Sequence, residues 1–263
     1  MTARFGEFML EPDWPRLGNT ERRVRSLMTC RAAPPDLGVS AGQFAAFDGG
    51  PGLNLGLGSG EDRGLVRGNR ERLEAALGMP ICWIDQVHGT TVAEFTGAPL
   101  GAFPKADAAF TRASGIALAV LVADCMPILF ADEQAQCVAV AHAGWRGLSA
   151  GVIEAAVAAL PAQRGALHAW LGPAIGKHDF EVGVDVLEAF VRVDPSAGQA
   201  FVKKREGKWC GDLAWLARQR LAKLGVTAHG DAPSTFADPG RFYSFRRDKV
   251  TGRMAALIWI EQD

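Results

Sequence analysis

Several kinds of protein are excluded by what this sequence has little of. Its five cysteines, Cys30, Cys82, Cys125, Cys137 and Cys210, are odd in number and include no close-spaced pair. That argues against a disulfide scaffold and against a structural zinc module of four thiolates. The five histidines, His88, His142, His168, His178 and His229, stand apart, so the paired ligands that several copper centres need are missing and multicopper oxidase chemistry is excluded by ligand supply. No apolar run approaches the ~18 residues of a membrane span, and MTARFGEFMLEPDW lacks the apolar core and small-residue cleavage site of a leader. The protein is expected to be soluble and cytoplasmic. An excess of one charge is absent too: 28 Lys and Arg face 29 Asp and Glu, and no basic run interleaves with aromatics. Nucleic acid is therefore a poor partner and a small, uncharged or modestly anionic metabolite a better one. The glycine-rich stretch at 49–60 is followed by no GK[ST] and contains no GxGxxG directly after a strand, which removes the usual phosphate-cradling loops.

What is present is ample core. With 263 residues, 48% of them hydrophobic, the chain is read as a single domain over 1–263, monomeric or at most a weak homodimer. Alternating strand and helix patterns predict an α/β architecture with mixed sheets. Val24–Arg31 reads as an early strand, Asp62–Leu77 as a helix closed by Gly78 and Pro80, and Met254–Ile260 as a final strand. GDLAWLARQRLAKLG reads as an amphipathic helix with Leu213, Leu216, Leu221 and Leu224 inward and Arg218, Arg220 and Lys223 in solvent. Within the glycine-rich stretch, Asn54 is read as a pocket-lining, substrate-facing residue, the alternative being a surface crossing. Asn69 and Arg70 fall in the first helix, where either faces a ligand or lies on a solvated flank.

The densest chemistry lies between Gly115 and Gly147. Two apolar runs there end at Cys125 and His142 around a polar connection at Asp132–Gln134, and pairing Met126–Ala131 with Gln136–Ala141 as a hairpin brings the thiol and the imidazole to one sheet end. A third group joins them: Ile81–Thr90 reads as a strand running out at His88, before a glycine that leaves room for a ligand. Two imidazoles and a thiolate are a zinc ligand set with a fourth position open, although the same donors also suit copper. A metal-free reading uses Cys125 as nucleophile and His142 as its base, oriented by Asp124 or another polar group; an inert buried thiol is the third possibility. Asp124 is a plausible carboxylate behind the ligands or a cap of the turn before Met126, and Asp107 is preferred as a loop-backbone acceptor. After His142, AGWRG reads as a turn opening a helix from about Leu148 to Leu160, where free N–H groups and Arg146 would receive an anion. Further on, the Arg246–Arg247 pair is either a surface pair or faces phosphate.

Taken together, QVHGT, ADCMPILF, AHAGWRG, GPAIG with FEVG, and FYSFRRDKVTGR resemble the YfiH-like family of laccase-domain proteins, once described as polyphenol oxidoreductases. The resemblance spans about residues 38–260. It implies an α/β/β/α sandwich of mixed sheets, distantly like the catalytic domain of bacterial deamidating toxins. It further implies a purine nucleoside phosphorylase that also acts on methylthioadenosine and deaminates adenosine, with zinc rather than copper held by His88, Cys125 and His142. Purine nucleoside and phosphate are then the partners, with Cys125 and His142 catalytic; charge and position in the chain, not the resemblance, add Arg146 as a catalytic anion binder, Asn54 and Arg246 as substrate contacts and Asp124 as a support behind the metal ligands. Some members are linked instead to editing of peptidoglycan precursors, which matches a Cys–His amidase. A non-enzymatic metal-binding interaction protein is the remaining alternative. Ser234–Thr235 stands where many members have Cys-Thr, and FYSFRR where FFSYRR is usual, departures that bear on pocket detail.

Overall fold

Period-two alternation in the central apolar runs sorts their side chains between two layers. Leu118, Val120 and Val122 face the same buried cluster as Leu129, Ala131, Val138 and Val140, whereas Ala117 and Ala119 turn to a second cluster and Ile128, Phe130, Ala139 and Ala141 to a third. Strands apolar on both faces must be covered on both, and the covering elements are a second sheet inside and helices outside. The computed structural model describes residues 8–18, 22–99, 101–161 and 166–262. The first seven residues, on which part of the leader expectation rests, lie outside it.

In chain order the elements begin with β1 (Met9–Leu10), β2 (Arg22–Thr29), α1 (Arg63–Leu77), β3 (Ile81–Trp83), β4 (Val92–Phe95) and β5 (Ala108–Thr111). The centre follows: β6 (Ala117–Val122), β7 (Met126–Asp132), β8 (Val138–Ala143), α2 (Trp145–Ala150) and α3 (Val152–Ala159). The remainder is β9 (Leu167–Leu171), β10 (Glu181–Val182), α4 (Val184–Val191), β11 (Phe201–Arg205), β12 (Lys208–Gly211), α5 (Leu213–Lys223), β13 (Thr227–His229), α6 (Phe245–Asp248) and β14 (Met254–Gln262). One sheet has the order β1-β2-β14-β6-β3, the other β13-β9-β7-β8-β5-β4, and β10-β12-β11 form a small separate sheet. Parallel pairing of β3 with β6, β4 with β5 and β9 with β13, among otherwise antiparallel neighbours, makes both large sheets mixed. Helix α1 covers the outer face of the first sheet through Leu73 and Leu77. Residues of α2, α3, α4 and α5 cover the outer face of the second. The molecule is an α/β/β/α sandwich with mixed sheets.

The predicted hairpin forms, and its register places Pro127 opposite His142 and Met126 opposite Ala143. His142 lies within β8 rather than just beyond it. Asp132 fastens the connection by accepting from the amides of Gln136 and Cys137. Helix α1 begins where predicted, with the Asp62 carboxylate accepting from Leu65 N, and ends at Gly78 in the left-handed region.

Four expectations change. Leu224, read as inward on the GDLAWLARQRLAKLG helix, is exposed, because α5 ends at Lys223. The strand predicted over Ile81–Thr90 stops at Trp83, and His88 sits on a turn with φ 61°. The helix predicted from about Leu148 to Leu160 starts earlier, at Trp145, and breaks at Gly151, whose φ of 101° is incompatible with continuing a right-handed helix. Arg220 is buried rather than solvated, because its guanidinium reaches the Glu154 carboxylate at 2.7 Å and ties α5 to α3.

Candidate active site

His142 shares the parity of Val138 and Val140 on β8, so its ring enters the layer between the sheets at their end, where it is buried. Cys125 precedes β7 in the neighbouring strand and packs against the same layer, half-buried. The turn carrying His88 closes over them: its ring meets that of His142 edge to face at 4.7 Å, and Cys125 Sγ lies 3.9 Å from His88 Nε2. One donor atom from each of the three falls within 4.8 Å of the others, the one such group of His, Cys, Asp or Glu among the described residues. Tetrahedral zinc with Zn–N near 2.0 Å and Zn–S near 2.3 Å holds its donors about 3.5 Å apart, so small side-chain movements suffice. The backbone leaves space for this approach at Gly144, where a Cβ would come within 2.8 Å of Cys125 Sγ and 3.2 Å of His88 Cδ2.

One buried carboxylate organises both histidines. Asp107 Oδ1 pairs with His142 Nδ1 at 2.8 Å, and the two carboxylate oxygens accept from the amides of Val87, His88 and Gly89. Its carbonyl accepts from His142 N at 2.7 Å. With Nδ1 engaged, His142 presents Nε2 to the cluster. Asp107 is thus at once the loop-backbone acceptor preferred from sequence and the carboxylate behind the donor cluster. Asp124 does not have the second role: its carboxylate accepts from Thr235 Oγ1 and Arg246 N, both at 2.6 Å, in a turn with φ 86°. It holds β7 to the C-terminal loops instead of orienting His142.

Burial works to raise the Cys125 thiol, but His142 and His88 outweigh it and bring the thiol from 9.0 down to about 6. Burial would likewise lower His142, yet the Cys125 charge and the Asp107 hydrogen bond raise it to about 9. Without a metal the pair is therefore thiolate and imidazolium at neutral pH. For Asp107, burial raises the carboxyl, while the His142 ring and the Gly89 and Val87 amides overcome that and hold it below its ordinary range.

The cluster opens into a cavity of about 880 Å³. Arg146 and Arg246 line it, and Asn54 does not. Asn54 is fully buried, its amide donating to Ser59 Oγ and Glu61 Oε2 and accepting from the amides of Gly56 and Arg253. It shapes the 56–58 wall from behind, so the sequence expectation of a substrate contact is corrected. Arg146 is exposed and rests over Trp145, on an α2 of six residues. A helix that short adds little dipole, which leaves the side-chain charge as its contribution. Arg246 is held by the carbonyls of Asp179 and Glu181. Arg247 faces neither phosphate nor open solvent; it satisfies the carbonyls of Thr235, Phe236 and Phe242.

Sequence reasoning leaves out much of the wall. Arg253, Lys249, Phe103, Phe180 and Phe245 line the cavity, as does Arg63 of α1, while Arg70 lines it in keeping with one of its two sequence readings. The only signal for Phe180 and Phe245 is their place in FEVG and FYSFRR. Gln86 pairs with both the amide and the carbonyl of Leu121, which fixes the end of β6 at the cavity edge.

A mixed sandwich with a His–Cys–His cluster at the end of its inner layer, beneath a cationic cavity, defines a class. The chain belongs to the family described as multi-copper polyphenol oxidoreductase laccase, which matches residues 27–261. Among its relatives, a purine nucleoside phosphorylase of Pseudomonas aeruginosa is 45% identical over 254 residues, 96% of this chain and 98% of that protein. The purine nucleoside phosphorylase YfiH of Escherichia coli is 46% identical over 211 residues, 79% of this chain and 86% of its own. Of solved structures, a Neisseria meningitidis protein is similar with a TM-score of 0.84 at 38% identity, covering 97% of this chain and 100% of that one. Bacillus licheniformis YfiH is similar with a TM-score of 0.75 at 25% identity, covering 93% and 98%. No described helix is long and apolar enough to cross a membrane.

Proposed function

We propose that the protein is a zinc-dependent purine nucleoside phosphorylase that also cleaves methylthioadenosine and deaminates adenosine. The observation that carries this reading is the three-donor cluster on the wall of a cavity rich in arginine, in a chain 45% identical to a purine nucleoside phosphorylase across nearly its whole length. His88, Cys125 and His142 would hold the metal. A zinc ion held there would supply Lewis acidity, the chemistry on which deamination of a purine calls.

The chain's own groups account for binding and orientation. Asp107 holds the proton on His142 Nδ1 and keeps Nε2 available. Phosphorolysis brings an anion to a ribose carbon while the purine leaves, and Arg146 at the rim is positioned to attract that anion. Phe103, Phe180 and Phe245 offer apolar ring surface to a planar base. Phosphate-dependent release of hypoxanthine from inosine by purified protein tests the reading. Activity should be lost in Cys125→Ala and on metal stripping, and return with zinc; equal activity in all three samples would refute the zinc proposal.

One observation favours a second reading. A thiol lowered to about 6 beside an imidazole is also what a Cys–His amidase acting on peptide or cell-wall precursors would use. That enzyme would be inactivated by a thiol alkylator, need no metal and turn over no nucleoside.

A further inference from the structure

The cavity wall contains six cationic side chains, Arg63, Arg70, Arg146, Arg246, Lys249 and Arg253, against the carboxylates of Asp85 and Asp124. Three of these have evident work to do. Arg246 and Arg253 each hold two backbone carbonyls through Nη1, and Asp124 is occupied by Thr235 and Arg246 N. Arg70 is different. Only 8% exposed, it donates from Nε to Leu55 O at 2.8 Å and lies with its guanidinium carbon 4.1 Å from the Trp83 ring centroid. Phe103 flanks it at 5.6 Å. Its Nη1 is buried and has no hydrogen-bond partner.

The supports of this arginine are rigid. Asn69, its neighbour on α1, donates to Asn54 O, Leu55 N donates to Arg253 O, and Arg253 N donates to the Asn54 side chain. The loop is thereby clamped between α1 and the segment before β14, and Arg70 is fixed in plane by stacking and by its Nε bond. A guanidinium needed only for packing has no reason to keep a desolvated N–H unpaired, since buried donors are almost always satisfied. Burial lowers Arg70 to about 10, which still leaves it protonated at neutral pH. A fixed cation at a cavity wall, with hydrogen-bonding capacity unspent, is a preorganised donor to an oxyanion.

We propose that Arg70 is an anion-binding residue of the cavity, its guanidinium donating to a phosphate oxyanion. Arg70 enters from the helix layer outside the first sheet, whereas Arg146 enters from the layer outside the second. The oxyanion belongs either to inorganic phosphate or to a phosphate ester on a nucleoside. The first source rests on the phosphorylase reading; the second does not.

Calorimetric titration of Arg70→Gln and Arg70→Lys with inorganic phosphate, inosine 5′-monophosphate and inosine decides between them. Loss of a charge-assisted contact should weaken oxyanion binding in Arg70→Gln by about tenfold or more, with a smaller loss in Arg70→Lys and inosine affinity within about twofold of wild type. Weakening confined to free phosphate identifies the co-substrate, and weakening confined to the nucleotide identifies an ester. A purely structural arginine would move inosine and phosphate alike. Wild-type affinity for both oxyanions in a folded Arg70→Gln overturns the proposal. Should both variants fail to fold, the Arg70 Nε–H resonance of ¹⁵N-arginine-labelled wild type must shift on saturation with phosphate or nucleotide, and its constancy with both overturns the proposal equally. A wild type that binds phosphate through Arg70 yet releases no hypoxanthine would refute the phosphorylase reading and leave this site standing.

Discussion

Single side chains in this site do two jobs at once, and Asp107 shows it best. Replacing it with Asn keeps the volume but removes the charge facing His142 and weakens the hold on three amides. Metal affinity should fall about 10–100-fold, the usual cost of losing a carboxylate behind a ligating histidine, when measured by competition with a chromophoric chelator. Unchanged affinity would remove Asp107 from the account. For Cys125 the expectation concerns pH. Alkylation follows the thiolate, so in metal-free protein its rate should climb through a midpoint of about 6, well below the ordinary 9.0; a midpoint near 9 would contradict the paired site. His88, Cys125 and His142 are legible in sequence because each comes at or near the end of an apolar run, beside glycine or a turn. Arg70 is not, because helical periodicity cannot distinguish an arginine stacked on a tryptophan at a cavity from one on a solvated flank. Asn54 misleads for a related reason: an amide in a glycine-rich loop suits a ligand or the loop's own backbone equally well, and here the backbone takes it.

At the scale of elements, the hairpin of β7 and β8 is legible down to which end carries the chemistry, since alternation and a polar connection determine pairing and face together. The break between α2 and α3 is not, because an isolated glycine in a helical pattern signals its left-handed conformation only once the chain has turned. Gly151→Ala should therefore lower stability by about 1–2 kcal/mol in denaturant unfolding while leaving the cluster intact. Gly144→Ala tests a different constraint. Its added methyl meets Cys125 Sγ and the His88 ring, so metal binding should be lost with little change in the unfolding midpoint. Retained metal would mean that the turn yields.

Over the whole molecule, the thiolate–imidazolium pair links metal-free stability to pH through two opposed contributions. His142, raised to about 9, contributes stability that is complete below its unfolded value and lost as pH climbs through 9. Cys125, lowered to about 6, contributes stability that is complete above the unfolded 9.0 and lost as pH falls through 6. The two describe one interaction and nearly cancel: the folded pair takes up its protons at about 6 and about 9 and the unfolded groups take up theirs at 6.5 and 9.0, so metal-free stability should change little with pH across this range. A denaturant-unfolding midpoint of metal-free protein that shifts strongly between pH 6 and 9 would contradict the pair. The mixed α/β class is legible from the alternation of strand and helix patterns, whereas the α/β/β/α layering is implied only by the family resemblance. The sequence order within each sheet is not legible, because β14 must travel from the end of the chain to lie between β2 and β6.

The carboxylate of Asp107 has a consequence for hydrogen exchange. Three consecutive amides, those of Val87, His88 and Gly89, belong to a surface turn in which Val87 and His88 are exposed, a setting where exchange is ordinarily fast. Here all three donate to a group with no solvent exposure of its own. Their protection then reports the integrity of the interior beneath them, and a surface turn becomes a deuterium gauge of whether the two histidines are held in register.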